Sequence, residues 1–233
     1  SLAKHVILTN EGDINGFNSL VKNNFKVHHY PLIEIESIEF KINDLKRYDY
    51  IIFTSKNGVK NFFHKAKKID NKKFMCVGSK TESILNKSGH VSVFTSKRNY
   101  SEIMAAELKK NKLINGKNVL LIQGQLAKDD LKLELKKFCN VDRINVYNTK
   151  AKENSNEKLK KLISTKSTFT VFTSPSAFDS FIKFYNPDKT KIISIGKTTT
   201  KYIESKGYNC MLTSQMQSYE GISASIIKHF HHL

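Results

Sequence analysis

Four short landmarks recur in one order along this chain, and their spacing constrains the fold more than any other feature. Phe53-Thr54-Ser55, Val77-Gly78-Ser79-Lys80-Thr81, Gly89 and Phe94-Thr95-Ser96 come first. Phe172-Thr173-Ser174, Ile195-Gly196-Lys197-Thr198-Thr199, Gly207 and Leu212-Thr213-Ser214 follow. The first landmark returns after 119 residues and the other three after 118. One match would be noise, but four in a single register, each following a β-rich run, indicate an internal duplication. The unit is half of a 233-residue chain, far too long for a solenoid repeat, so two similar domains are expected.

Strand and helix patterns alternate throughout. Residues 5–8, 48–53, 74–77, 91–94, 118–122, 170–172, 191–195 and 208–212 read as strands. Residues 16–26 carry Phe17, Leu20, Val21 and Phe25 at helical spacing, and 101–110, 129–138, 198–206 and 220–229 also read as helices. Residues 27–35 and 141–149 are extended, and Pro31 excludes a central sheet position for the first run. Ser55 and Ser174 suit helix N-caps, the latter followed by Pro175, and Ser79 with Glu82 reads as a capping box. Such alternation with short turns predicts an α/β protein with parallel sheets flanked by helices. Each half reads as five strands in a flavodoxin-like layout. Ligands in such sheets bind beyond the carboxyl ends of the strands, where Thr54-Ser55, Gly78-Ser79, Thr173-Ser174 and Gly196-Lys197-Thr198 fall.

The formal charge of +18 calls for a polyanion or reflects a lysine-rich solvated surface. Only Arg47, Arg98 and Arg143 among the 39 cations are arginines, and there is no basic tail or aromatic-basic motif, which disfavours nucleic acid. Cys76, Cys139 and Cys210 are odd in number and far apart, as expected of reduced thiols rather than a disulfide framework. With no membrane-spanning apolar run and no signal-like N-terminus, a cytoplasmic protein is expected, Ser1-Leu2-Ala3 being open as a remnant.

Gly196-Lys197-Thr198 is not a phosphate-binding P-loop, because the glycine required five residues earlier is Lys191. Four strand-to-helix turns with small hydroxyl residues remain. Helix capping explains any one of them; four on matching edges of two domains equally suit anion binding by N–H groups and hydroxyls, with Lys56, Lys80, Lys191 and Lys197 adding charge. No acid/base cluster, nucleophile elbow or metal-ligand set is visible. His28-His29 reads as solvated, and His229, His231 and His232 sit at the C-terminus. Any activity must therefore rest on binding and orientation.

Taken together, Ile52-Phe53-Thr54-Ser55, Val77-Gly78 with Thr81, Val146-Tyr147-Asn148-Thr149, Phe172-Thr173-Ser174-Pro175-Ser176 and Ile195-Gly196 with Thr198-Thr199 resemble the uroporphyrinogen-III synthase family along nearly the whole chain. The resemblance implies two flavodoxin-like domains joined by a two-stranded connector. Residues 1–34 plus 150–233 would form one domain and 37–146 the other, with connectors near 31–36 and 146–150; the sequence alone also allows a split near residue 114. It implies cyclisation and dehydration of hydroxymethylbilane, a linear tetrapyrrole polycarboxylate, with inversion of the last ring and no metal or organic cofactor. By matched position, Tyr147 assists departure of the hydroxyl, or else packs at the domain junction. Ser55, Lys56, Thr81, Ser174, Lys191, Thr198 and Thr199 fall where the family contacts substrate. Asn57 stands where some members carry arginine, which leaves Lys56 as the nearest cation. A monomer without membrane contact is expected, with transient contact to the upstream bilane-forming enzyme left open. The alternatives are a non-catalytic two-domain binder of a small anion or, less favoured, a basic nucleic-acid-binding protein.

Overall fold

The computed structural model describes residues 3–42, 45–67, 69, 71–97 and 101–231; Ser1, Leu2, Arg98 and His232 lie outside the described residues. The chain forms two compact units, one of residues 1–34 and 150–233, the other of residues 35–149. The strands in chain order are β1 (Lys4–Leu8), β2 (Phe25–His29), β3 (Ile33–Ser37), β4 (Tyr50–Phe53), β5 (Lys73–Val77), β6 (Ser92–Ser96), β7 (Asn118–Gly124), β8 (Asn140–Ala151), β9 (Thr168–Phe172), β10 (Lys191–Ser194) and β11 (Leu212–Thr213). The helices are α1 (Asn18–Lys22), α2 (Lys56–Lys65), α3 (Ser79–Lys87), α4 (Ser101–Asn111), α5 (Asp130–Leu135), α6 (Glu157–Thr165), α7 (Pro175–Phe184), α8 (Lys197–Ser205) and α9 (Tyr219–His231).

In the first unit the strand order is β2-β1-β9-β10-β11, with every neighbouring pair parallel. In the second, β8-β7-β4-β5-β6 is likewise parallel, and β3 lies beside β8. The first unit follows the flavodoxin order. The second has the same arrangement entered at a different strand, so β4 matches β9, β5 matches β10, β6 matches β11, β7 matches β1 and β8 matches β2. Pro31 lies between β2 and β3 and outside both, and each of these strands is at a sheet edge.

Central strands read as unbroken apolar runs because both faces are covered. In the second unit Ile52, Val119 and Leu121 pack with Met104, Leu108 and Leu131 on one face. Ile51, Phe53, Leu120 and Ile122 pack with Val59, Phe62 and Leu85 on the other. The first unit repeats the scheme, with Val6 and Leu8 against Ile222 and Ile226, and Ile7 and Phe172 against Phe178 and Ile203. Each such buried side chain contributes about 1.5–3 kcal/mol.

Three local expectations change. The first helix ends at Lys22, because Asn24 turns the chain at φ +67° and Phe25 begins β2. The run near 208–212 pairs only at Leu212–Thr213, against Ile193 and Ser194. The capping box is absent. Gly78, not Ser79, is the N-cap of α3, at φ 82° and ψ 154°, and Glu82 Oε2 instead accepts from Thr95 Oγ1 at 2.6 Å. Helix α6 escaped the sequence reading, although Leu159 and Ile163 are spaced for one buried face and Asn156 caps it. The serine caps hold: Ser55 Oγ accepts from Gly58 N–H at 3.0 Å and Ser174 Oγ from Ala177 N–H at 3.2 Å.

His5 and His28 stand on adjacent strands with Nδ1 and Nε2 2.9 Å apart. Burial, then Lys26 and Lys166, lowers the His5 pKa; burial, then His5 and Lys26, lowers that of His28. The unfolded chain therefore binds more protons as pH falls through 6.5, so this contribution is present above that pH and lost below it. Denaturant midpoints are expected to fall from pH 7.5 to 5.5, and less so in His28→Gln; an equal fall would remove the pair as the source. For Gly78→Ala, whose backbone region is essentially glycine-only, a loss of about 1–3 kcal/mol is expected in the same measurement, and no loss would contradict the turn assignment.

Candidate active site

Parallel order places every strand-to-helix turn of a unit on one rim, and the order reverses between β4 and β7 in the second unit and between β1 and β9 in the first. These switch points are where a doubly wound sheet leaves room for a ligand. Ser55 follows β4 as the cap of α2, with Lys56 as the first helical residue. Thr81 lies in the first turn of α3 and is buried. Ser174 caps α7 after β9, and Thr198 and Thr199 open α8, the first exposed and the second buried.

Lys191 does not join them. It is the first residue of β10, at the amino end of the sheet, and five residues at about 3.3 Å each separate it from Gly196 on the carboxyl rim. Around it opens a cavity of about 520 Å³ that includes Thr168, Thr190 and Tyr208. There Thr190 Oγ1 bonds the hydroxyls of both Thr168 and Thr170 at 2.8 Å.

The two Gly-x-x-Thr turns also differ. Gly78 needs its positive φ, whereas Gly196 is fully extended at φ −177°, and a Cβ there would meet Gln217 at 3.3 Å.

Tyr147 reaches the rim from β8. Its hydroxyl lies 2.9 Å from Ser55 Oγ, and its ring packs onto the β4/α2 face of the sheet. Two features hold it there. The β7–β8 register slips between Gln123 and Gly124, so that Gly124 pairs with Tyr147 rather than with Val146. Gly124 then lies directly beneath the phenol: a Cβ would stand 2.5 Å from Cζ and 2.8 Å from the hydroxyl oxygen. The glycine is required here for space, not for an unusual φ.

The floor is pinned from outside by Arg143, whose side chain is 10% exposed. Its Nη2 donates to Gly124 O at 2.9 Å, its Nη1 to Asp129 Oδ1 at 2.8 Å and its Nε to Asn145 Oδ1 at 2.8 Å. The Gln125 N–H donates to Tyr147 O at 2.8 Å. Neither Gly124 nor Arg143 was picked out as a site residue from the sequence, because a glycine after an apolar run announces a turn and not what lies over it, and Arg143 stood out only as one of three arginines.

The pair can direct a proton. Ser55 Oγ already accepts the Gly58 N–H, so its own hydrogen can turn to the Tyr147 oxygen, in which case the phenol O–H is not spent on Ser55. The thiols are poor nucleophiles: burial pushes Cys76 up to about 12 and Cys139 up to about 11, and raises Cys210. Among the described residues no group of three or more His, Cys, Asp and Glu side chains could hold a metal ion, and no helix is long and apolar enough to cross a membrane.

The family model of uroporphyrinogen-III synthase HemD matches residues 18–224. The porphyrin biosynthesis protein HemD of Ruminiclostridium josui is 30% identical over 169 residues, which covers 66% of this chain and 33% of that protein. This chain thus spans about a third of that relative's length. The crystal structure of uroporphyrinogen-III synthetase from Helicobacter pylori 26695 aligns with a TM-score of 0.74 at 19% identity, covering 97% of this chain and 99% of that one. A mutant uroporphyrinogen III synthase from the extremely thermophilic bacterium Thermus thermophilus aligns with a TM-score of 0.61 at 12% identity, covering 99% and 100%. At these identities the two structures establish the fold alone.

Gly124→Ala is expected to swing the phenol off Ser55 while leaving the unfolding midpoint near that of the parent, because a side-chain end and not backbone must yield. Shifted Tyr147 ring resonances in solution NMR would report it; unmoved resonances would show that the ring does not depend on Gly124.

Proposed function

This chain belongs to the uroporphyrinogen-III synthase family, and from that premise we propose that it converts hydroxymethylbilane into uroporphyrinogen III. The reaction removes water, inverts the last pyrrole ring and closes the macrocycle. Bilane and product differ only by that water, with no net transfer of electrons, so the reaction is written as a cofactor-independent dehydration.

The observation that carries this reading is the Tyr147–Ser55 pair at the β4/β7 switch point. In the first step the C–O bond to the terminal hydroxymethyl group breaks, driven by the pyrrole nitrogen lone pair. The Tyr147 O–H supplies the proton with which the hydroxyl leaves as water. Ser55 returns hydrogen-bond support to the phenolate oxygen as charge develops there, with its own oxygen tied to the Gly58 N–H at the start of α2. What remains is orientation: ring closure without inversion gives the other isomer, so the protein must hold the reactive intermediate in one conformation.

The substrate carboxylates are met by the rim. Lys56 and the N-terminal turns of α2 and α3 serve the second unit, and Ser174, Thr198, Thr199 and the turns of α7 and α8 serve the first. Thr81 and Thr199 lie buried behind these turns and shape them. Lys191, at the opposite end of its sheet, is left out of the substrate contacts. The substrate is unstable in water, so the reading leaves room for transient contact with the enzyme that forms it, and asks for no second copy of this chain.

The test is a coupled assay in which hydroxymethylbilane is generated in situ, the protein added, and the oxidised products separated as isomers I and III. Isomer III in excess is expected. Isomer I alone at high protein concentration would refute the activity and favour a non-catalytic binder. Tyr147→Phe should lower kcat at least tenfold with near-normal folding; unchanged turnover would remove the phenol from the chemistry.

A further inference from the structure

Two side-chain amides occupy matching places in the two units, and each leaves its carbonyl oxygen unpartnered. Phe53 and Phe172 are equivalent by the duplication. Phe53 pairs with Ile122, while the β1–β9 register brings Thr9 opposite Phe172, so the next residues, Gln123 and Asn10, correspond. On β7, Gln123 follows Val119 and Leu121 on one face; Asn10, two residues beyond the end of β1, continues the matching spacing of Val6 and Leu8. Both stand at the carboxyl end of the strand beside the switch point.

Asn10 is 1% exposed and Gln123 is 2% exposed, and neither Asn10 Oδ1 nor Gln123 Oε1 has a hydrogen-bond partner among the described residues. Buried polar atoms are nearly always paired, and an unpaired carbonyl destabilises the fold that carries it. Among the described residues Asn148 Oδ1 and Ser155 Oγ are also buried without a partner, but Asn10 and Gln123 fall at one equivalent position of the duplicated sheets, which argues against accident for these two.

We infer that Asn10 and Gln123 are ligand-binding residues whose amide oxygens accept N–H groups, which on the reading proposed above are the pyrrole N–H groups of the tetrapyrrole. Helix N–H groups and Lys56 donate, and so satisfy carboxylates, but they cannot serve an N–H donor. The rim hydroxyls can donate or accept, and Ser55 Oγ and Ser174 Oγ already accept a helix N–H. A tetrapyrrole carries both kinds of group, and the two amide oxygens add acceptors that no described residue engages. Both can be redirected. The Asn10 amide is held by Nδ2 bonds to Glu11 O at 3.2 Å and Asp13 O at 3.3 Å, at and beyond the long end of the normal range. The Gln123 amide can swing about three side-chain torsions at the end of its strand.

Gln123→Met tests the inference, since it keeps length and volume and removes the amide. The expected result is a melting temperature equal to or above that of the parent, because the unpaired oxygen is gone. With it should come kcat/KM for hydroxymethylbilane lowered about tenfold and a larger share of isomer I. Unchanged kcat/KM and isomer ratio, with the parent still producing isomer III, would overturn the inference and leave the proposed activity standing. A lowered melting temperature with loss of activity would also overturn it, by assigning the amide to the core. A parent that yields isomer I alone removes the activity on which the inference rests, and the inference with it.

Discussion

Parallel strand pairing gathers every strand-to-helix turn of a sheet on one rim, and nearly all that is chemically distinctive here lies on those rims. Helix N-termini bring unsatisfied N–H groups and a positive dipole end to them. Serine caps at Ser55 and Ser174 fix two of these ends, and glycine N-caps at Gly78 and Gly196 leave two others uncovered by a side chain. A lysine-rich surface then adds a background potential that favours a polycarboxylate. None of these parts needs a catalytic cluster, which suits the proposed reaction, whose difficulty is conformational.

The duplication supplies two matching rims, and Tyr147 with Ser55 stands on that of the second unit. Gly124 lies under the Tyr147 ring in the second unit; by register its counterpart in the first is Glu11, which carries a side chain where Gly124 has none. The bulge in the β7–β8 register completes the difference by turning Tyr147 onto the same face as Val146. Thus the chemistry is assigned to one unit, while the paired amides Asn10 and Gln123 remain common to both.

Much of this was legible in the chain. The duplicated Thr-Ser and Gly-x-x-Thr landmarks gave the two-unit α/β class, because strand-to-helix turns carry strong local chemistry. Pro31 interrupts the extended run 27–35, which divides into two strands, each at a sheet edge. What escaped depends on contacts distant in sequence. Glu82 pairs with Thr95 rather than capping α3, since Gly78 had already turned the chain into the helix. Lys191 looked like part of the rim beside Gly196, but strand direction puts it at the other end. Gly124 and Arg143 acquire meaning only once β7 and β8 are paired. Asn10 and Gln123 align only once the strands 5–8 and 118–122 are matched as equivalents, as the strand order of the two units shows.

The account stands on the carboxyl rims as the ligand surface, and amide chemical-shift mapping tests that most directly. Titration of the labelled protein with uroporphyrin III, a stable octacarboxylate, should move the resonances of Gly58, Thr81, Gly124, Ala177 and Thr199. Those of Thr168, Thr190 and Lys191, at the amino end of the first sheet, should stay in place. Shifts centred on Lys191 and its neighbours, with the turns after β4 and β9 unmoved, would contradict it.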